Sequence, residues 1–200
     1  MTGAHVRPFE PADTDACYEI CLRTAHNGAD ASGLHTDPRI VGEIWVGPYL
    51  VRWPDYAFVV EDDEGVGGYI VGTPDTDAHD RWIDGEWMVP LRARYPRGCF
   101  ADGTADADCV ELIHVPPRVP PEIVATHPAH LHIDLLPRLQ GHGMGRALIA
   151  ALFGQLRGAG VAAVHLGCSP DNTNAIAFYR HLGFEDLRAG FLWGRSTESE

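Results

Sequence analysis

The sequence predicts a mixed α/β fold, with helices packed around one central sheet. Strand-forming residues at 56–60 and 66–71 are separated by an acidic turn at 61–65, a pattern typical of a β-hairpin. From residue 130 onward, strand and helix patterns alternate, which implies a crossover between neighbouring, partly parallel strands. The chain has 200 residues and 45% hydrophobic residues, so we expect a single globular domain over 1–200.

The chain begins with a short strand and a helix. Val6 to Phe9 is extended by composition, and Asp13 is a candidate N-cap for a helix whose apolar stripe runs over 16–22. A second helix is predicted over 39–45, where Gly47-Pro48 should end it.

Residues 73–128, called the insertion below, differ in composition from the rest of the chain. They are rich in proline and acidic residues, with little strand pattern. We predict one helix over 76–91, a shorter one over 106–114, and loop elsewhere. A connection this long inside a compact domain is usually functional.

The last third is the most regular part of the chain. The predicted strands cover 130–136, 161–167 and 191–193, and the predicted helices cover 144–156 and 172–181. A glycine-rich turn at 140–145 joins the first strand to the first helix.

Composition excludes several classes of function. Twenty-eight acids against fifteen bases give a net charge of −13, which argues against a nucleic-acid partner. All fifteen bases are arginines, so chemistry that needs a protein lysine is excluded. The five cysteines are scattered without a C-x-x-C pair, which argues against disulfides and a cysteine zinc site. With no signal peptide or membrane-length apolar run visible, we expect a cytoplasmic protein without a membrane partner.

The glycine-rich turn is a candidate anion site. Alternate glycines in Gln140-Gly141-His142-Gly143-Met144-Gly145-Arg146 let a ligand approach the backbone, and the following helix adds the positive end of its dipole. Residues 135–170 contain three arginines and no acid. We therefore predict a pyrophosphate site here. The spacing differs from G-x-G-x-x-G and from Walker loops, and the alternative is a tight turn that merely uses glycine.

A second motif runs from Asp171 to Phe184. Asp171 or Asn172 should cap its helix and Gly183 should end it. Tyr179 lies on the helix and, taken alone, is more typical of a core tyrosine than of a catalyst.

Together the two motifs resemble the GNAT superfamily of acetyl-CoA-dependent N-acetyltransferases. Gln140-x-x-Gly143-x-Gly145 matches the family's Q/R-x-x-G-x-G/A pyrophosphate loop, and 174–184 matches its Asn-x-Ala…Tyr…Gly-Phe stretch. The stretches 56–61, 72–76 and 128–137 are similar to the acetyltransferase-like domain of animal O-GlcNAcases and its free-standing bacterial relatives. The resemblance implies a mixed, mostly antiparallel twisted sheet flanked by helices, with a long helical insertion before the fourth strand.

The resemblance also implies roles for individual residues. Leu135 would offer its backbone N–H to the acetyl carbonyl, Asn174 would bind the pantetheine arm, and Tyr179 would protonate the departing thiolate. The implied acetyl-CoA contacts are Leu135, Leu136, Gln140, Gly141, His142, Gly143, Met144, Gly145, Arg146, Asn174 and Tyr179.

The sequence offers two candidates for the general base, both on the predicted strand at 130–136. Several relatives place a Glu near the position of Ala129, which cannot serve. His130, His132 and Asp134 alternate onto one strand face, and we take His132 or Asp134 as the candidate base. One alternative is a satisfied polar patch beneath the insertion. Another is a metal site on His-x-His-x-Asp, which the interleaved apolar residues argue against, and we expect no metal.

The acceptor is predicted to be an amine, small or peptide-borne, and cationic in solution. Residues 55–86 hold ten acids against one arginine, together with Trp82 and Trp87, which suits a cation. We expect the insertion to cover the acceptor site. The main hypothesis is direct acetyl transfer by a monomer or homodimer, and the alternative is an acetyl-CoA-binding pseudo-acetyltransferase or interaction module without turnover.

Overall fold

The computed structural model describes residues 3–188 and 190–198. Within these residues the predicted helices and strands occur in the predicted order, and the elements at 47–52, 121–126 and 185–188 were not predicted. The strands are β1 (His5–Pro8), β2 (Ala57–Asp62), β3 (Gly65–Thr73), β4 (Ala129–Leu135), β5 (Ala163–Gly167), β6 (Glu185–Arg188) and β7 (Leu192–Ser196). The α-helices are α1 (Thr14–Thr24), α2 (Ile40–Trp45), α3 (Gly47–Arg52), α4 (Thr76–Trp82), α5 (Met88–Arg94), α6 (Ala105–His114), α7 (Pro121–Thr126), α8 (Met144–Gly158) and α9 (Thr173–His181).

The described strands form one sheet in the order β1-β2-β3-β4-β5-β7-β6. Neighbouring strands are antiparallel except β4 and β5, which are parallel and pair only at Ala129 with Val164 and at His130 with His165. The predicted mixed, mostly antiparallel sheet flanked by helices is confirmed.

The alternation of side chains along the sheet separates two cores. On one face, Tyr69 and Val71 of β3 pack against α1, α2 and α3. On the other face, Ile70 and Leu131 pack against the apolar side of α8, where Leu148 and Leu152 are fully buried. The side chains of β4 alternate between the two faces in the same way, so its polar residues point to the first face. The insertion lies on that same face.

The insertion departs from the predicted elements in two places. The predicted helix over 76–91 is present as a continuous helical stretch over 76–94, in which a π-helical turn (Ile83–Trp87) joins α4 to α5. At the end of this turn, the Trp87 ring N–H donates to the Glu43 carbonyl at 2.8 Å. Helix α7 was missed because six residues are too short for a helical pattern.

Two further differences concern chain segments near the sheet. Edge strand β6 was missed because it has no apolar alternation. Asp13 does precede α1, but its carboxylate binds the Arg7 guanidinium at 2.7 Å and 2.8 Å instead of a helix amide. Among the described helices, none combines the length and the apolar character needed to cross a membrane.

Candidate active site

The site begins where β4 and β5 separate. Beyond the pair of His130 with His165, β4 continues along β3 to Leu135, while β5 pairs only with β7. Leu136 donates its N–H to the Gly67 carbonyl at 2.8 Å, and the antiparallel alternation then turns the Leu135 N–H away from β3. Among the described residues this N–H has no acceptor, so it points into the open gap between the two strands.

The glycine turn follows directly after this gap. Gly141 and Gly143 have φ angles of 76° and 81°, and a Cβ built on either would meet no atom within 4 Å. The six backbone N–H groups from Gly141 to Arg146 have no acceptor within the described part of the chain. Since the last three of them open α8, its dipole adds to their field. The turn therefore offers backbone N–H donors, and no carboxylate, to an anion.

The neighbours of the turn have structural partners of their own. The Gln140 side-chain amide donates to the Leu135 carbonyl at 2.8 Å, which fixes the turn to the end of β4. Gly145 allows close packing, since a Cβ there would lie 2.8 Å from the Phe178 ring. Arg146 lies 3.3 Å from His181. Asn174 is exposed in the first turn of α9, whose N-cap is Asn172, as predicted.

Tyr179 is buried on α9 and belongs to the core beneath α8. Its hydroxyl forms no hydrogen bond with the described residues, although its ring contacts Phe178 and Phe184. Burial, and to a smaller extent Cys168 and Asp134, raise the pKa of the phenol. The phenol is therefore protonated at neutral pH and free to donate.

A cavity of about 590 Å³ opens on the face of the strand gap. One wall consists of β4 and β5 residues together with Trp45 and Tyr49, and the insertion supplies the opposite wall. The insertion residues that line it are Thr76, His79, Asp80, Ile83, Met88, Leu112 and 116–120.

The acids that were expected at the acceptor site lie mostly elsewhere. Of the ten acids at 55–86, all within the described residues, Asp80 alone lines the cavity. Trp82 and Trp87 also lie outside the lining and pack against each other with centroids 5.7 Å apart. The acids and tryptophans of 55–86 therefore do not form one cluster around this cavity, and both rings pack against the first core.

Four imidazoles surround the inner end of the cavity. The Thr76 hydroxyl donates to the Pro128 carbonyl and accepts from His130 Nδ1 at 2.8 Å, so His130 Nε2 accepts from the Tyr49 hydroxyl at 2.6 Å. His165 donates Nδ1–H to the His127 carbonyl at 2.7 Å. The His79 Nδ1 accepts from the Trp53 ring N–H at 3.0 Å, and its Nε2 is buried without a hydrogen-bond partner in the described part of the chain.

These imidazoles are neutral at pH 7. Burial is the main cause that lowers the pKa of His132 to about 4 and of His79 to about 3. Burial also lowers the pKa of His130 and, to a lesser degree, of His165. Neighbouring imidazoles also lower these pKa values.

The two candidate bases have different surroundings. His132 lines the cavity between the Trp45 and Tyr49 rings and forms no hydrogen bond with the described residues, so its lone pair is free. Asp134 accepts from the Tyr69 hydroxyl at 2.5 Å. Burial raises the pKa of this carboxyl. As predicted, both side chains lie on the same face of β4 as His130.

The structure assembles no obvious metal site. Within residues 3–188 and 190–198, no three histidine, cysteine or carboxylate side chains are grouped so that they could hold an ion. His130 uses both ring nitrogens in hydrogen bonds, and Asp134 is bound by Tyr69.

Among the cavity residues that sequence reasoning missed are Tyr49, His79 and His165. His165 carried a signal, because it is the one polar residue in the apolar run of β5. His79 carried none, because a histidine on a polar helix has no periodic signature of burial.

Comparison with known proteins places this geometry in one family. The model of the Acetyltransferase (GNAT) family matches residues 22–184. The structure titled "Crystal structure of SsHAT" superimposes with a TM-score of 0.91 and 41% identity, covering 98% of this chain and 99% of that chain. The structure of yncA from Salmonella typhimurium with its cofactor acetyl-CoA has a TM-score of 0.53 and 16% identity, covering 98% and 95% of the two chains, and shows the fold alone.

A curated relative agrees with the narrower resemblance. Protein O-GlcNAcase of Rattus norvegicus is 26% identical over 180 residues, which is 89% of this chain and 20% of that protein. This chain thus spans about a fifth of the length of the relative. The resemblance to GNAT acetyltransferases, and within them to the O-GlcNAcase domain, is confirmed.

Proposed function

The chain belongs to the acetyltransferase (GNAT) family, and we propose that it transfers the acetyl group of acetyl-CoA directly to a primary amine that is cationic in solution. The observation that carries the proposal is the position of the strand gap. The Leu135 N–H points into this gap, the six amides without acceptors follow the same strand end, and the cavity opens on its face.

The residues present fit acetyl-CoA. The amides from Gly141 to Arg146 would bind the pyrophosphate, with Leu136, Gln140 and the exposed Asn174 beside the pantetheine arm. When bound, acetyl-CoA supplies the acetyl group as a thioester. The Leu135 N–H would then polarise the acetyl carbonyl, since a donor aimed at a developing oxyanion stabilises the transition state.

Proton movements are assigned to three side chains. An amine of pKa about 10 must lose a proton before it attacks, and His132, or Asp134 beside it, would accept that proton. Tyr179, whose phenol is still protonated at neutral pH, would donate its proton to the sulfur as the C–S bond breaks and the thiolate leaves. Neither step needs a metal or a covalent enzyme intermediate.

Two further properties belong to the proposal. The net charge of −13 would attract an ammonium over a distance, an effect that weakens as salt rises because the screening length at physiological ionic strength is about 8 Å. The cysteines of the described chain are all free thiols, which supports a reducing, cytoplasmic location.

The test separates turnover from binding. Purified protein is mixed with acetyl-CoA and a panel of primary amines, free CoA is measured, and acetyl-CoA binding is measured in parallel by calorimetry. The proposal expects binding together with amine-dependent CoA release. Binding with no release from any amine would favour the pseudo-acetyltransferase, and absence of binding would contradict both.

A further inference from the structure

We propose that the acceptor is a monoamine whose body is apolar and ring-containing, and that a second positive charge on the acceptor is rejected. The inference rests on the proposed function, because it assigns the acceptor class of the same cavity. Three features of the cavity carry it: its ring-rich wall, the pairing of its charged groups and the hydrogen bonds of its imidazoles.

The inner wall of the cavity consists largely of flat side chains. His132 lies 5.5 Å from the Trp45 ring and 5.3 Å from the Tyr49 ring, and Tyr49 stacks on His79 at 4.3 Å. Aliphatic residues of the insertion, including Ile83 and Leu112, complete the wall on the other side. Such a lining favours an apolar body and offers ring faces to one ammonium group.

The charged groups of the lining are already paired. Asp80 lies 3.5 Å from Arg118, which also binds Asp84, and burial raises the pKa of the Asp80 carboxyl. Arg188 lies 3.6 Å from Glu122. Among the described residues of the lining, therefore, no carboxylate is left unpaired to accept a second cation.

The imidazoles cannot replace a carboxylate in this role. The lone pair of His130 Nε2 accepts a hydrogen bond from the Tyr49 hydroxyl, and that of His79 Nδ1 accepts one from the Trp53 ring N–H. The remaining lone pairs, on His132 and His165, lie at the strand gap, where the reacting amine must be. A second ammonium on the body of the acceptor would lie against the apolar wall, desolvated and without a partner, which is strongly unfavourable.

Two matched pairs of amines test the inference. Pentylamine and 1,5-diaminopentane differ by one terminal ammonium, and we expect kcat/KM to be roughly 100-fold higher for pentylamine. 2-Phenylethylamine and 2-(2-aminoethoxy)ethanol have similar length and one charge each, and we expect at least about a 10-fold preference for the aryl amine. Binding of the four N-acetylated products is measured by calorimetry with CoA present, so that a readout exists without turnover.

Charge substitutions at Leu112 of α6 and at Val115, which follows the last residue of α6, provide the matched variants. Leu112→Asp places a carboxylate in the apolar wall and should reduce the preference for pentylamine over the diamine by at least about 10-fold. Leu112→Asn makes the same change of shape without charge and should leave the preference unchanged. Val115→Asp adds the same charge at a position 63% exposed outside the lining and should also leave it unchanged.

The outcomes separate this inference from the proposed function. If no amine releases CoA but the acetylated products bind with the expected preferences, acetyl transfer is contradicted and the acceptor class stands. If CoA is released and both members of each pair react and bind equally well, the acceptor class is overturned and transfer stands. Equal shifts in Leu112→Asp and Val115→Asp would likewise overturn it, since the charge would then act from a distance.

Discussion

His130 and His165 face each other at the last paired position of β4 and β5, with ring centroids 5.5 Å apart. Two imidazoles, the buried His165 and the half-buried His130, thus lie where the strands begin to separate. In our proposal the acetyl group binds in the gap between these strands. The closed end of the gap is therefore polar but uncharged.

The first prediction concerns stability against acid. The pKa of His132 is lowered by burial to about 4, below the ordinary value near 6.5. Between these values the unfolded chain binds a proton that the folded chain does not, so stability is lost as pH falls from 6.5 toward 4. In urea unfolding at pH 7, 6 and 5, His132→Gln should reduce the pH slope by up to about 1.4 kcal/mol per pH unit. His26→Gln, at an exposed position, is the control, and an equal change in both variants would contradict the burial of His132.

The second prediction tests the anion site. Gly143→Glu places a carboxylate beside the amides without acceptors and should weaken acetyl-CoA binding on the order of 100-fold, because like charges repel the pyrophosphate. The substitution also strains the backbone, since φ is 81° at Gly143. Gly160→Glu carries matching strain at φ 74°, also in open space, beyond the other end of α8. Calorimetry should show weakened binding in the first variant alone, and equal loss in both would assign the effect to strain.

The third prediction concerns Tyr179. Its hydroxyl has no hydrogen-bond partner among the described residues, so Tyr179→Phe should leave stability and acetyl-CoA affinity nearly unchanged. Turnover should fall about 10²- to 10⁴-fold if the phenol protonates the thiolate in the limiting step. Tyr56→Phe, where the ring packs against the same core, is the control. Unchanged turnover in Tyr179→Phe would make Tyr179 a core residue only.

The sequence predicted the cofactor side of the site better than the acceptor side, for a physical reason. The glycine turn is a local motif: its amides, φ angles and helix start all lie within 140–146, so spacing alone indicates them. The cavity instead combines Trp45, Thr76, Leu112 and His165 from four separate elements. The spacing of these residues along the chain does not predict that they lie together.

The acids of 55–86 lie at several separate local features, and only Asp80 lines the cavity. A continuous helix over 76–91 would follow one helical phase, whereas the π-helical turn at 83–87 inserts an extra residue and shifts the phase of everything after it. Glu61 to Glu64 lie at the hairpin, and Asp75 caps α4 by accepting from the Ala78 amide at 2.9 Å. Acid content along the chain therefore did not predict charge at the cavity.

The fourth prediction decides between the two candidate bases. Asp134→Asn keeps an acceptor for the Tyr69 hydroxyl and removes only the charge, while His132→Gln removes the free imidazole lone pair. Loss of the true base should lower kcat/KM about 10²- to 10⁴-fold at pH 7. The deficit should shrink as pH rises toward the amine pKa of about 10, because the amine then arrives without its extra proton.

The measurement for this prediction is the full pH profile of kcat/KM for both variants and the wild type. A deficit in His132→Gln that recovers at high pH assigns the base to the imidazole, and the same behaviour in Asp134→Asn assigns it to the carboxylate. A deficit that is constant with pH indicates altered packing instead of lost proton transfer. His132 is the expected base, because its lone pair is free and lines the cavity while Asp134 is held by Tyr69.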